Sequence, residues 1–325
     1  MPKTKRTPKT ASAKKTSVKK PVKKPVQAAP ESASPIPRIP SVVPNSGLAD
    51  KLRLPPGPVD LASLDPRSTV GFPGKGKDDA PNVQADMVGR LSEVQERLYA
   101  QGRELPATAP RVLLILQGLD TSGKGGVIRH AIGMVDPQGV HIKGFKSPTP
   151  EELEHDFLWR IEKELPAPGQ IGVFDRSQYE DVLVVRVEQL VPREEWESRY
   201  ERINEFESRL RDQGITVIKC YLNVSKDEQK ARLAERLERP DKYWKYNPGD
   251  LGTRAKWDDY QAAYADALGR CNTDHAPWYI IPADRKWYRN WAVAQLLLEH
   301  LEGLDLQWPA ADFDVEEQKL LLARA

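Results

Sequence analysis

One stretch constrains this chain more than any other. Residues 112–116 are apolar without a break and run straight into Gln117-Gly118-Leu119-Asp120-Thr121-Ser122-Gly123-Lys124-Gly125-Gly126. A short, wholly apolar segment suits a parallel strand whose sheet is covered on both faces. Glycines then permit a tight turn, and Val127-Ile128-Arg129-His130-Ala131-Ile132 can continue as a helix. Backbone N–H groups at such a strand-to-helix turn converge on an anion, and the helix start adds partial positive charge. The spacing predicts an anion-binding loop formed by Gly118, Thr121, Ser122, Gly123, Gly125 and Gly126, with Lys124 over the phosphates and Arg129 one turn on. Taken alone, it also fits a plain tight turn with a surface lysine, and Arg129 also fits a solvated helix face.

The pattern Gly-x4-Gly-Lys is that of a P-loop, which usually has Ser or Thr after the lysine to hold Mg²⁺. Here Gly125 stands at that position, so a metal needs another ligand, and Asp120 inside the loop is the candidate. A second anchor is Ile171-Gly172-Val173-Phe174-Asp175, an apolar segment ending in a carboxylate and followed by Arg176. In doubly wound sheets ligands bind beyond the carboxyl ends of the strands, which would bring Asp175 to the loop. Two carboxylates, completed by phosphate oxygens and water, suit Mg²⁺, with Asp120 and Asp175 as the metal residues. Arg176 would reach a phosphate in the same cleft. Asp175 also fits a helix N-cap.

The rest of the chain alternates in type. Strands are predicted over 140–145, 215–222 and 278–281, and helices over 82–102, 150–163, 177–189, 225–239, 256–268 and 287–304. Another helix carries Trp196, Tyr200, Ile203, Phe206 and Leu210 on one face. This alternation argues for an α/β protein with a parallel sheet between helices. Thr149, Pro150 and Glu152 have the spacing of a capping box. Residues 177–189 are apolar nearly all round, which predicts burial in the core or against a second subunit. Arg232, Arg236 and Arg239 lie four and three residues apart, with Lys242, Lys245, Arg254 and Lys256 beyond them. A basic helical hairpin after the fourth strand, able to close on the site, is the form of a kinase lid. Phosphoryl transfer relies on such positive charge and on positioning. The interleaved Glu235, Glu238 and Asp241 also fit a salt-bridged surface helix.

Charge is unevenly distributed. Residues 1–29 hold ten Lys/Arg and no acid, so the remaining 296 residues carry −8 against a whole-chain net of +2. Residues 1–46 read as a disordered basic tail of the kind that binds polyanions, or simply solubilises. Residues 47–83, rich in Pro and Gly, read as an irregular arm. Residues 84–306 form a P-loop phosphotransferase domain with a lid at about 226–256, and 307–325 a C-terminal tail. Cys220 and Cys271 are too few for a disulfide framework and suit a reducing, cytoplasmic setting. There is no apolar run of about 18 residues, so no membrane association is expected.

Several long motifs occur together in one order. They are the loop with Ile128-Arg129-His130; Ser147-Pro148-Thr149-Pro150-Glu151-Glu152-Leu153; His155-Asp156-Phe157-Leu158-Trp159-Arg160; Phe174-Asp175-Arg176-Ser177-Gln178-Tyr179-Glu180-Asp181-Val182-Leu183; Lys242-Tyr243-Trp244-Lys245; and Ala276-Pro277-Trp278-Tyr279-Ile280-Ile281-Pro282-Ala283-Asp284-Arg285-Lys286-Trp287. With them, residues 52–304 resemble the family-2 polyphosphate kinases. The resemblance implies a thymidylate-kinase-like P-loop kinase fold: a parallel sheet flanked by helices, with a helical lid. It implies Mg²⁺-dependent, reversible phosphoryl transfer between inorganic polyphosphate and AMP or ADP, with guanine nucleotides as a further acceptor class. Asp120 and Asp175 match the family's metal-binding, acceptor-orienting carboxylates, and Lys124 and Arg176 its phosphate-binding pair. Arg232, Arg236, Lys242 and Lys245 are the expected polyphosphate contacts of the lid. The family also implies a homo-oligomer, dimer or tetramer. Gly125 and the Ile128-Arg129-His130 continuation are similar to the single-domain members that act on both AMP and ADP.

Two other functions use the same features. An ATP-dependent nucleoside monophosphate kinase would need the same loop and lid, with a shorter basic track. A polyanion-binding protein would use the tail and keep the P-loop domain for regulation.

Overall fold

The computed structural model describes Pro44 and residues 47–325. Of the expected basic tail, only Pro44 is among them; the rest lies outside the described residues.

Five strands form one sheet, β1 (Arg111–Gln117), β2 (Val140–Gly144), β3 (Ile171–Asp175), β4 (Ile215–Asn223) and β5 (Trp278–Pro282). Their order is β2-β3-β1-β4-β5, and every pairing is parallel. The apolar run of β1 is therefore central. Its side chains alternate between two cores, with Val112, Leu114 and Leu116 in one and Leu113 and Ile115 in the other. This two-sided burial is why no polar residue interrupts it.

The chain enters through α1 (Gly47–Leu52), whose Leu48 and Ala49 N–H groups donate to Glu299 at 2.9 and 2.8 Å. The arm continues irregularly: Leu54 N–H donates to the Trp278 carbonyl (2.8 Å), and Phe72 packs edge-on against Trp287 and Trp291. Helix α2 (Ala80–Glu104) buries Met87, Leu91 and Leu98 and half-buries Val94, the four residues that spacings of three and four put on one stripe. Helix α3 (Lys124–His130) follows the glycine loop.

Two expected helices are not continuous. Residues 150–163 form two single turns, α4 (Pro150–Leu153) and α5 (Trp159–Glu162). The capping box at Thr149 and Glu152 is present. The break comes at Asp156, whose carboxylate accepts from Leu158 N–H at 3.1 Å and restarts the chain as a new turn. Residues 177–189 are likewise a 3₁₀ turn (Gln178–Asp181) and then α6 (Val184–Val187). Ser177 caps the turn, so Asp175 is not a helix cap. The Gln178 amide and Tyr179 hydroxyl of this turn both donate to Glu207 Oε1, at 3.1 and 2.8 Å. Val182 and Leu183 bury in the chain's own core.

Helix α7 (Arg193–Asp212) lays Tyr200, Ile203, Phe206 and Leu210 inward, with the buried Glu207 among them. The lid region comprises α8 (Lys226–Glu238), a 3₁₀ turn (Pro240–Lys245) and α9 (Asp250–Ala255). Helix α10 (Trp257–Arg270) follows, then α11 (Lys286–Gly303), which is buried on nearly all sides, and α12 (Val315–Leu322), which is exposed. No described helix is long and apolar enough to cross a membrane.

Candidate active site

The loop after β1 has the conformation its glycines allow. Gly118 and Gly123 sit at φ 148° and 108°, and Thr121 joins them at φ 64°. Ser122 N–H donates back to the Leu119 carbonyl (3.1 Å), closing the turn. Lys124 is buried, and its Nζ donates to the Gly118 carbonyl at 2.7 Å, which holds the ammonium across the loop. Thr121 Oγ1 and Ser122 Oγ are buried with no protein partner. Buried polar atoms are normally hydrogen-bonded, so these two hydroxyls leave bonding capacity free for water or a ligand.

Asp120 and Arg176 face each other, with Arg176 Nη2 3.1 Å from Asp120 Oδ1. Arg176 ends β3 at φ 67° and donates its N–H to the Leu116 carbonyl at 3.0 Å. Burial works against its charge, but Glu180, then Asp120, Tyr264 and Asp175, outweigh it and raise its pKa. Asp175 is in register with Leu116 on β1 and Gly144 on β2, at the carboxyl edge of the sheet. The sheet therefore brings Asp120, Lys124, Asp175 and Arg176 to one edge.

Among the described residues no three His, Cys, Asp or Glu side chains gather closely enough to hold a metal by themselves. The donor set available is two carboxylates, Asp120 and Asp175, beside two unpartnered hydroxyls. This fits a hard ion that takes its remaining ligands from phosphate and water, as Mg²⁺ does. No atom lies within 4 Å of where a Gly125 Cβ would stand, so packing does not dictate the glycine at the usual Ser/Thr position.

The lid cations divide sharply. Arg232 turns away from the cleft and is buried at 6% exposure. Its Nε donates to Glu228 (2.8 Å), Nη1 to the Thr121 and Ser122 carbonyls (2.8 and 3.2 Å), and Nη2 to those of Ala283 and Asp284 (2.6 and 2.9 Å). All five donors are committed to the protein, so Arg232 braces the loop rather than offering itself to a polyanion. Arg236 is also engaged, with the Lys245 carbonyl at 2.8 Å and Asp250 at 3.3 Å. Lys242 pairs with Glu235, which Lys286 shares at 3.1 Å. Lys245 is exposed over the Trp244 ring, 4.9 Å from its centroid. Arg129 is exposed on α3, with no acidic partner among the described residues.

Several groups at this site escape a sequence reading. Glu180 has its pKa raised by burial, against the opposing charges of Arg176 and Lys124. Asp250 is raised by burial and then by Asp120. Gln229 Nε2 donates to the Asp120 carbonyl at 3.2 Å. Arg289 on α11 donates to the Ser122 carbonyl at 3.0 Å. The signal in the sequence is Arg289 itself, a charge set among Trp287, Tyr288 and Trp291 at the start of α11.

The chain has close relatives of one family. A family model for polyphosphate kinase 2 matches residues 77–308. The chain is 47% identical over 255 residues to an AMP/ADP-polyphosphate phosphotransferase of Meiothermus ruber, covering 78% of this chain and 93% of that one. It is 42% identical over 234 residues to an ADP-polyphosphate phosphotransferase of Rhodopseudomonas palustris, covering 68% and 79%. Among solved structures, polyphosphate kinase 2 from Arthrobacter aurescens TC1 superposes with a TM-score of 0.82 at 52% identity, over 86% of this chain and 98% of that one. The parallel sheet, glycine loop and helical lid are thus those of a P-loop kinase.

Proposed function

The chain belongs to the polyphosphate kinase 2 family, and from that premise we propose that it transfers phosphoryl groups reversibly between inorganic polyphosphate and AMP or ADP. The observation that carries the reading is the meeting of Lys124, Asp120 and Arg176 around a loop with unpartnered buried hydroxyls.

Each residue has a physical role. The loop N–H groups and Lys124 seat one phosphate and draw negative charge toward the loop. Arg176 binds a neighbouring phosphate oxygen, and its pairing with Asp120 fixes where its guanidinium points. Both ends of the transfer are phosphates, so no proton needs to be moved from the attacking oxygen. Catalysis then consists of alignment and of positive charge placed where the transferred group becomes most anionic. Lys242 and Lys245 in the lid add cations for the polymer. Arg236 does so if its bond to Asp250 opens on closure. Mg²⁺, held by Asp120 and Asp175, would neutralise phosphate charge. A homo-oligomer, and polyanion capture by the basic tail, belong to the same reading.

The test is ATP formation from AMP or ADP with polyphosphate and Mg²⁺ as the sole donor system. ATP from both acceptors supports the reading. Activity only with ATP and a nucleoside monophosphate would replace it with an ordinary nucleotide kinase.

A further inference from the structure

The loop is held from behind by two arginines, and only one of them is neutralised. Arg232 carries Glu228 on its Nε. Arg289 donates Nη1 to the Ser122 carbonyl at 3.0 Å, and Nε and Nη2 to Asn290 Oδ1 at 3.2 and 2.8 Å. Its acceptors are neutral, and no acidic side chain pairs with it among the described residues. Arg289 is only 3% exposed. Burial pushes its guanidinium down to about 9, and the like charge of Arg232 adds to this. A buried charge without a counter-charge costs stability, and a perturbed group beside a cleft is a candidate for function.

The glycines point to the same residue. A Cβ on Gly123 would stand 1.8 Å from Arg289 Nη1, and one on Gly126 would stand 2.6 Å from Nη2. Gly125, between them, has open space. Gly126 has no positive φ, so its lack of a side chain answers to space alone. A side chain at 126 would have to displace the Arg289 guanidinium from where it is held.

Position also matters. The peptide group is planar and trans, so its C=O and N–H point in opposite directions. Drawing the Ser122 carbonyl inward to Arg289 and Arg232 turns the Gly123 N–H outward. That N–H takes no protein acceptor among the described residues.

We propose that Arg289 is a positioning residue of the phosphate loop: it aims the Gly123 N–H at the bound phosphate and supplies, from beneath, a positive charge that the bound phosphate neutralises. The proposal rests on the reading of this loop as the phosphate site.

The test is calorimetric titration of the full chain with inorganic tripolyphosphate, alongside thermal melting. Arg289→Gln should weaken binding about tenfold or more, with Tm unchanged or higher because a buried charge is gone. Arg289→Lys should restore most of the affinity. A purely structural arginine predicts the reverse, a lower Tm with little change in affinity, and that result overturns the proposal. If Arg289→Gln does not fold, a cycle with Gly126→Ala decides. Gly126→Ala alone should weaken binding, and in the Arg289→Lys background it should cost much less, because the slimmer side chain clears the new methyl. Additive losses in that cycle overturn the proposal. Lys124→Ala separates the two levels. If it binds tripolyphosphate like the wild type, the loop reading has failed; if it alone weakens binding, only the role of Arg289 has.

Discussion

Arg176 reaches 3.1 Å across from the end of β3 to Asp120 in the glycine loop, so the two halves of the site are joined by one ion pair. The pair spans 56 residues of sequence and exists because β1 and β3 are neighbours in register. It fixes a cation beside a carboxylate at the position where phosphate charge must be both attracted and oriented.

Asp120→Asn and Asp175→Asn should each lower turnover a hundredfold or more, about 3 kcal/mol of barrier. Steady-state rates with ADP and polyphosphate measure it. Near-normal turnover in either variant would remove that carboxylate from the metal assignment.

Arg232 and Lys245 should fail in opposite ways. Arg232→Gln removes a donor from the Thr121 and Ser122 carbonyls of the loop and from those of Ala283 and Asp284 after β5, and should cost roughly 3–5 kcal/mol of stability, seen as a lower denaturant midpoint. Lys245→Ala should leave the midpoint in place and raise the KM for polyphosphate a few-fold, most at low salt. A stable Arg232→Gln protein with a raised polyphosphate KM would return Arg232 to the ligand-binding face.

Asp181 sits between Arg199 (2.9 Å) and Arg160 (3.7 Å), yet burial raises its carboxyl from 3.8 to about 6. Its folded pKa lies above its unfolded one, so its contribution to stability is greatest below pH 3.8 and is lost as pH rises to about 6. Asp181→Asn should remove that loss, up to roughly 3 kcal/mol. Urea melts of the two proteins from pH 4 to 7 compare them. Parallel stability curves would contradict this.

Lys219 and Glu207 form an ion pair with both side chains at 0% exposure. Tyr179 OH and the Cys271 carbonyl complete the lysine's bonds, at 2.9 and 2.5 Å. Lys219→Met should cost about 3–5 kcal/mol by leaving Glu207 charged and buried, and Lys219→Met with Glu207→Leu should recover much of it. A double variant no better than the single would mean that the pair's hydrogen bonds matter more than its charges.

Removing residues 1–46 should weaken binding to polyphosphate at low ionic strength and much less at high. Unchanged affinity in low salt would separate the tail from polyanion capture.

The sequence by itself determined those features whose causes are local. The apolar run of β1, the glycine turn and Lys124 are close in sequence and form one unit. Thr149 and Glu152 cap each other three residues apart, and the stripes of α2 and α7 follow the helical period. Asp175 could be placed near the loop because a parallel sheet has one carboxyl edge. Only the tertiary structure decided what depends on distant packing. Helical spacing put Arg232, Arg236 and Arg239 in one group, but spacing cannot say whether a helix face meets a ligand or the back of a loop. Arg232 meets the back, as Arg289 does from α11. The apolar stretch after Ser177 is a 3₁₀ turn and a single helical turn, and Glu207 and Lys219, from other elements, hold the Gln178 and Tyr179 side chains in place there. Local periodicity records which side chains are apolar. Where a buried charge points is settled by which elements surround it.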